Sequence, residues 1–155
     1  MNREVFFVAA TEKRSAIARE VLLDLPEWFG IPEYTENYIR ECANMPLWAC
    51  TDSGEIAGFL AIKETSPYAV ELHVMGVKKA HHRTGIGKVL FKTMLAFVKA
   101  QGYSFLHVKT VDEGHYQEYD DTRLFYESIG FRKMEVLPEL WGPENPCLLM
   151  ILYLQ

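Results

Sequence analysis

Apolar positions along this chain recur either every second residue or at helical spacing, and the switch between the two periods divides it into strands and helices. Glu4–Ala10 (EVFFVAA) reads as an opening strand. Thr11 stands where a helix N-cap is expected, and Ile17, Val21, Leu22 and Leu25 fall on one face of a helix running to about Leu25. Pro26–Pro32 (PEWFGIP) is a turn, and Glu33–Asn44 a second, shorter helix. There the period changes. Leu47–Thr51 and Glu55–Lys63, joined by Asp52-Ser53-Gly54, predict a hairpin, and Ala69–Val77 (AVELHVMGV) a third consecutive strand. Ile86–Ala100 is the clearest helix, with Ile86, Leu90, Met94 and Phe97 on one face and Gln101-Gly102 to stop it. Ser104–Val111 is a strand, Asp121–Ile129 a helix ending at Gly130, and Phe131–Val136 and Cys147–Leu154 are the final strands. The order β-α-α-β-β-β-α-β-α-β-β predicts an α/β fold, a mixed sheet with helices packed on it.

At 155 residues the chain has the length of a single domain, expected over 1–155, and an apolar fraction of 49% is enough to build a core. No apolar run reaches the ~18 residues of a membrane helix, and Met1-Asn2-Arg3-Glu4 does not open a signal peptide. The expectation is a cytoplasmic protein without a membrane partner. Cys42, Cys50 and Cys147 form no CxxC pair, which predicts reduced structural thiols. The histidines show no HxH or HxxxH spacing, so no metal is expected. The net charge of −5 argues against nucleic acid as a partner. Its distribution adds more. Leu72–Val111 holds no Asp or Glu but seven cations (Lys78, Lys79, Arg83, Lys88, Lys92, Lys99 and Lys109), so it carries +7 and the remainder −12. A cationic island in an acidic chain suits a small polyanion better than a long polymer.

The island contains the most informative segment, Val77-Lys-Lys-Ala-His-His-Arg-Thr-Gly85-Ile-Gly87-Lys88, set between a strand and the best helix. Two glycines there let backbone approach a ligand closely. The first helical turn offers unpaired N–H groups and the positive end of the dipole, a combination suited to phosphate. The Walker pattern fails because it needs glycine at His82 and a hydroxyl at Val89. A dinucleotide GxGxxG fails at Leu90.

The segment His82-Arg83-Thr84-Gly85-Ile86-Gly87 resembles the [Q/R]xxGxG signature of the GNAT acetyltransferase superfamily. The preceding ELHVMGV is similar to the family's fourth strand and the following KVLFKTMLAFVKAQG to its third helix. Thr122-Arg-Leu-Phe-Tyr126-Glu-Ser-Ile-Gly130-Phe131 is similar to its "FYxxxGF" helix and strand. Two positions depart from the pattern: His82 stands for Gln or Arg, and Tyr119 stands where the family often has asparagine.

The resemblance implies a GNAT fold with acetyl-CoA as cosubstrate and direct acetyl transfer in a ternary complex. It implies that the main chain of Met75 and Val77 faces the pantetheine arm. The pyrophosphate would lie on the turn formed by His82, Arg83, Thr84, Gly85, Ile86, Gly87 and Lys88. It further implies Tyr126 as general acid to the departing thiolate, close against the cofactor, and an amide near Met75 as oxyanion donor, with Gly76 permitting a bulge. Glu71 and His73, two apart on one strand, are candidates for the base that deprotonates an amine. The expected acceptor is a small-molecule primary amine; the alternatives are a protein or peptide acceptor, or a non-catalytic acyl-CoA-binding module. Asp112, Glu113, Glu118, Asp120 and Asp121 form an acidic run that suits either a helix N-terminus or a cationic amine. Trp28, Phe29 and Tyr34 are candidates for an acceptor wall or for core, and Trp48, Trp141 and the last strand for a homodimer contact.

Overall fold

The computed structural model describes residues 2–155, and its elements follow the predicted order. They are β1 (Arg3–Phe7), α1 (Thr11–Leu22), α2 (Pro32–Cys42), β2 (Leu47–Asp52), β3 (Glu55–Ser66), β4 (Ala69–Val77), α3 (Ile86–Ala100), β5 (Phe105–Val111), α4 (Gln117–Ser128), β6 (Arg132–Leu137) and β7 (Cys147–Tyr153). The strand order is β1-β2-β3-β4-β5-β7-β6. The pairs β1–β2, β2–β3, β5–β7 and β6–β7 are antiparallel, while β4 and β5 run parallel. The chain divides into two compact units, one of residues up to Lys63 with Leu72–Ala100, the other of Glu64–Glu71 with Gln101–Gln155.

In the first unit, Val21 and Leu22 of α1, Ile39 and Cys42 of α2, and Leu47, Ala49, Phe59 and Val74 of the strands form one buried cluster. Helix α3 buries Ile86, Leu90, Met94 and Val98, while Phe97, expected on that face, is partly exposed at its rim. The Phe97 ring meets the edge of Trp48 at 5.2 Å, and Trp48 meets Phe7 at 5.3 Å. Trp48 is therefore core, not the dimer surface that the sequence allowed. Trp28 and Phe29 also pack on the core, whereas Tyr34 is exposed. Thr11 is the first residue of α1 and Ala10 takes the cap position, so the expected threonine cap is absent; the Thr11 hydroxyl donates instead to the Glu12 carboxylate at 3.1 Å.

Gly58 and Gly76 are required by close approach. A Cβ on Gly76 would lie 2.9 Å from Val21 Cγ1 and 3.2 Å from Leu25 Cδ1, so this glycine seats α1 against β4. A Cβ on Gly58 would lie 2.8 Å from the Gly76 carbonyl oxygen and 3.3 Å from Val77 Cα. Side-chain tips can turn aside but strand backbone cannot. We expect Gly58→Ala to cost ~1–3 kcal/mol by overpacking and Gly76→Ala clearly less, as read from urea midpoints.

In the second unit, β4 pairs with β5 through Ala69–Phe105, Val70–Leu106 and Glu71–His107, and β7 lies between β5 and β6. That interior place buries Leu148 and Met150, so the last strand offers no free edge to a dimer. Helix α4 begins at Gln117 rather than Asp121, with Glu118 and Asp120 in its first turn where the helix dipole favours acids. It ends as expected at Gly130, whose φ of +113° lets Phe131 N–H return to the Tyr126 carbonyl at 3.0 Å.

Candidate active site

In the first unit, the chain leaves β4 at Val77 and is tied down before it reaches α3. Lys78 N–H donates to the Ala57 carbonyl at 2.8 Å, and Lys79 N–H to the Asp24 carboxylate at 2.8 Å. His82 Nε2 lies 2.6 Å from the Val77 carbonyl oxygen; a carbonyl only accepts, so Nε2 carries the proton. The Trp28 ring packs edge-on against His82 at 5.7 Å. Thr84 Oγ1 donates to the His81 carbonyl at 2.5 Å, and the Arg3 guanidinium donates to the Thr84 carbonyl. Arg83 (φ +62°) and Gly85 (φ +89°) hold the left-handed conformations that turn the chain into the helix.

The result is a polarity sorted by geometry. The carbonyls of Val77, His81 and Thr84 are taken by side chains of the turn and of β1. The first intrahelical bond in this turn runs from Val89 N–H to the Gly85 carbonyl at 3.1 Å, so Ile86, Gly87 and Lys88 stand where helix amides have no intrahelical partner. Those three acceptors are satisfied while the helix amides remain, an arrangement that suits an anion.

The cationic island is smaller than its sequence count. Lys78 is held by Glu20, Lys79 by Glu27 at 2.9 Å, and Lys109 by Glu71 at 2.8 Å. Arg83 and Lys88 are exposed, and no ion pair holds either among the described residues. Of the island's cations that no carboxylate holds among the described residues, Arg83 and Lys88 lie at the turn, and Lys92 and Lys99 farther along α3.

The sequence candidates for the base receive different partners. His73 Nε2 lies 3.3 Å from Glu41 Oε1, with the Tyr38 ring 5.5 Å away, in the first unit. Glu71, in the second, is buried and accepts from Lys109 Nζ at 2.8 Å. Tyr126 is the buried residue of α4, meeting Phe131 at 5.7 Å edge-on and Phe125 at 5.8 Å. Its neighbour Phe125 is only half-buried.

The sequence reading passed over His107, the register partner of Glu71 on β5. Its Nε2 lies 2.9 Å from Thr65 Oγ1, and its Nδ1 is buried with no hydrogen-bond partner among the described residues. Burial holds the imidazole below its ordinary range; the Glu71 charge opposes this and the Lys109 charge assists it. His107 also lines a groove of about 260 Å³ with Lys109, Phe105, Leu149 and Ile151. Nothing in FLHVKTV marks it, because an alternating histidine on a strand reads as ordinary until pairing sets a carboxylate opposite.

Much of the acidic run is structural. Glu113 pairs with Lys133, Asp120 accepts from Gly114 N–H at 3.0 Å, and Asp121 accepts from Gln117 Nε2 at 3.0 Å. The three cysteines are free and buried; burial pushes the Cys42 thiol up to about 12 and the Cys147 thiol to about 11, which disfavours the nucleophilic thiolate. No helix among the described residues is long and apolar enough to cross a membrane.

Residues 26–139 match the family model of the acetyltransferase (GNAT) domain. The chain belongs to the GNAT acetyltransferase family. It is 31% identical over 78 residues to the N-alpha-acetyltransferase RimI of Mycobacterium tuberculosis, covering 50% of this chain and 44% of that protein. It is 39% identical over 90 residues to the mycothiol acetyltransferase of Jonesia denitrificans, covering 55% and 26%. The chain thus spans about half or less of the curated relatives it matches. The structure of a GNAT family acetyltransferase from Elizabethkingia anophelis with acetyl-CoA bound superimposes with a TM-score of 0.73, at 18% identity, covering 99% of each chain. That likeness is one of fold.

Proposed function

We propose that this GNAT domain transfers the acetyl group of acetyl-CoA directly to the primary amine of a small molecule, with both substrates bound together. The observation that carries the reading is the turn from Val77 to Lys88, where the carbonyls of Val77, His81 and Thr84 are bound by side chains and the helix amides stand beside the cations Arg83 and Lys88. His82, Arg83, Thr84, Gly85, Ile86, Gly87 and Lys88 would hold the pyrophosphate. The main chain of Met75 and Val77 would meet the pantetheine arm, with one lone pair of the Val77 carbonyl already taken by His82. An amide there would stabilise the tetrahedral oxyanion, a contribution of ~2.7–4 kcal/mol for one donor.

Acetyl-CoA supplies a thioester carbonyl and a thiolate leaving group. Tyr126 gives that thiolate a proton. An ammonium has no lone pair, so the acceptor must first lose one. Glu71, which accepts from Lys109, and His73, whose Nε2 lies beside the Glu41 carboxylate, are the candidates to take that proton. We place this activity in the cytoplasm, where acetyl-CoA is available.

A peptide N-terminus is the second reading, favoured by the similarity to an N-alpha-acetyltransferase. Turnover against matched panels of small amines and peptides, followed by thiol release, separates the two. The cofactor reading has its own test. A ligand bound only by the folded state adds about 2.7 kcal/mol at a hundredfold excess over Kd. Acetyl-CoA and CoA should raise Tm clearly, and ATP and NAD much less; equal shifts with all of them would mean generic anion binding.

A further inference from the structure

We propose that Arg3, at the start of β1, is a positioning residue for the pyrophosphate of acetyl-CoA. This rests on the reading that the turn from Val77 to Lys88 binds that cosubstrate. The Arg3 guanidinium donates through Nη2 to the Thr84 carbonyl, two residues before α3. Its Nη1 stands 3.4 Å from the position a Cβ on Gly85 would take, so the cation lies against the glycine itself. Arg3 and the turn belong to the same compact unit.

What the contact fixes is a peptide plane. In a trans peptide the N–H points opposite to the C=O, so a carbonyl held by Arg3 sets the direction of the Gly85 N–H. This plane is the one most in need of a hold. Arg83 before it is a non-glycine residue at φ +62°, and Gly85 after it, at φ +89°, has no Cβ to restrict it. Glycine takes either sign of φ with similar ease, so without the guanidinium the Thr84–Gly85 plane is free to turn over. Turning it would exchange a donor for an acceptor beside the amides of Ile86, Gly87 and Lys88, which an anion disfavours.

The hold comes from a distant part of the chain and closes on itself. Arg3 faces Asp52 in the β1–β2 ladder. The Asp52 carboxylate lies 3.5 Å from His81 Nδ1, and Thr84 Oγ1 donates to the His81 carbonyl at 2.5 Å. One rung of the ladder thus meets the turn at His81 and at Thr84, and the threonine hydroxyl joins the two points. Held at one point, the turn is a hinge; held at two joined points, it keeps its shape.

Arg3→Met and Arg3→Lys test this against a role in stability alone. Calorimetry with CoA should show affinity lowered by about tenfold or more in Arg3→Met, the loss expected when a hydrogen bond from a charged group is removed. Arg3→Lys keeps the charge and a donor but not the planar fork, and should recover part of the affinity. The second readout is the ratio of kcat/KM for acetyl-CoA to kcat/KM for acetyl-pantetheine, on an acceptor found in the amine panel. Acetyl-pantetheine has the thioester but no pyrophosphate. A variant that merely folds less well loses both values equally and keeps the ratio, whereas Arg3→Met should lower it by about tenfold. If Arg3→Met does not fold, Arg3→Lys carries both readouts, with a smaller loss in each. Wild-type CoA affinity in the folded variants, or a wild-type ratio, overturns the role of Arg3 and leaves the acetyltransferase reading standing. Failure of the wild type to bind CoA removes that reading, and the role of Arg3 with it.

Discussion

Replacing Tyr126 with phenylalanine is expected to lower turnover by ~10²–10⁴, the usual worth of a general acid. The substitution removes one oxygen and keeps the ring that packs against Phe125 and Phe131. Its burial makes a purely structural role a real competitor, since no other residue of α4 is equally buried. The two roles separate by readout. A core role predicts little change in turnover and at most ~1–3 kcal/mol of stability lost, from a partner left unpaired. An acid role predicts the fall in kcat with acetyl-CoA affinity nearly constant, because the proton moves only after the cofactor is bound. The comparison requires conditions in which chemistry limits the rate, on an acceptor that the wild type turns over. Near-full turnover by the variant would make Tyr126 structural and pass the acid to water.

Gly87→Val is expected to weaken acetyl-CoA binding by about 100-fold or more while the helix still forms. Gly87 sits in the first turn of α3, where the amides have no intrahelical partner and the nearby Thr84 carbonyl is already taken by Arg3. A branched side chain there keeps the pyrophosphate off the amides. Losing two charge-assisted hydrogen bonds at ~1.5–3 kcal/mol each accounts for that loss, at tenfold per ~1.4 kcal/mol. Valine is no worse than glycine inside a helix, so circular dichroism should be unchanged. Calorimetry with CoA reads the affinity. A folded variant that binds CoA as tightly as wild type places the cofactor elsewhere, and the turn would lose its assigned role.

The order of elements, the glycine-rich turn and the family were all legible in the chain itself, because each rests on local spacing. Ile86, Leu90 and Met94 mark α3 by their period, and Gly85 and Gly87 mark its entry by what their missing side chains permit. Local pattern failed where polarity hid it. The first turn of α4 carries acids rather than an apolar stripe, so its start at Gln117 was not visible. Charge was misjudged for a related reason. Lys78, Lys79 and Lys109 read as part of one basic stretch, yet each is neutralised by a carboxylate dozens of residues away. Only the tertiary structure could decide that, and only it could show what each candidate base meets. Glu71 and His73 were conspicuous side by side in the sequence, but Lys109 and Glu41 engage them. His107 was inconspicuous; strand pairing set it opposite Glu71, and folding brought its Nε2 within 2.9 Å of Thr65 Oγ1. Local spacing determines which backbone donors a turn exposes, whereas the state of a titratable side chain depends on what folding brings within hydrogen-bond reach from distant parts of the chain.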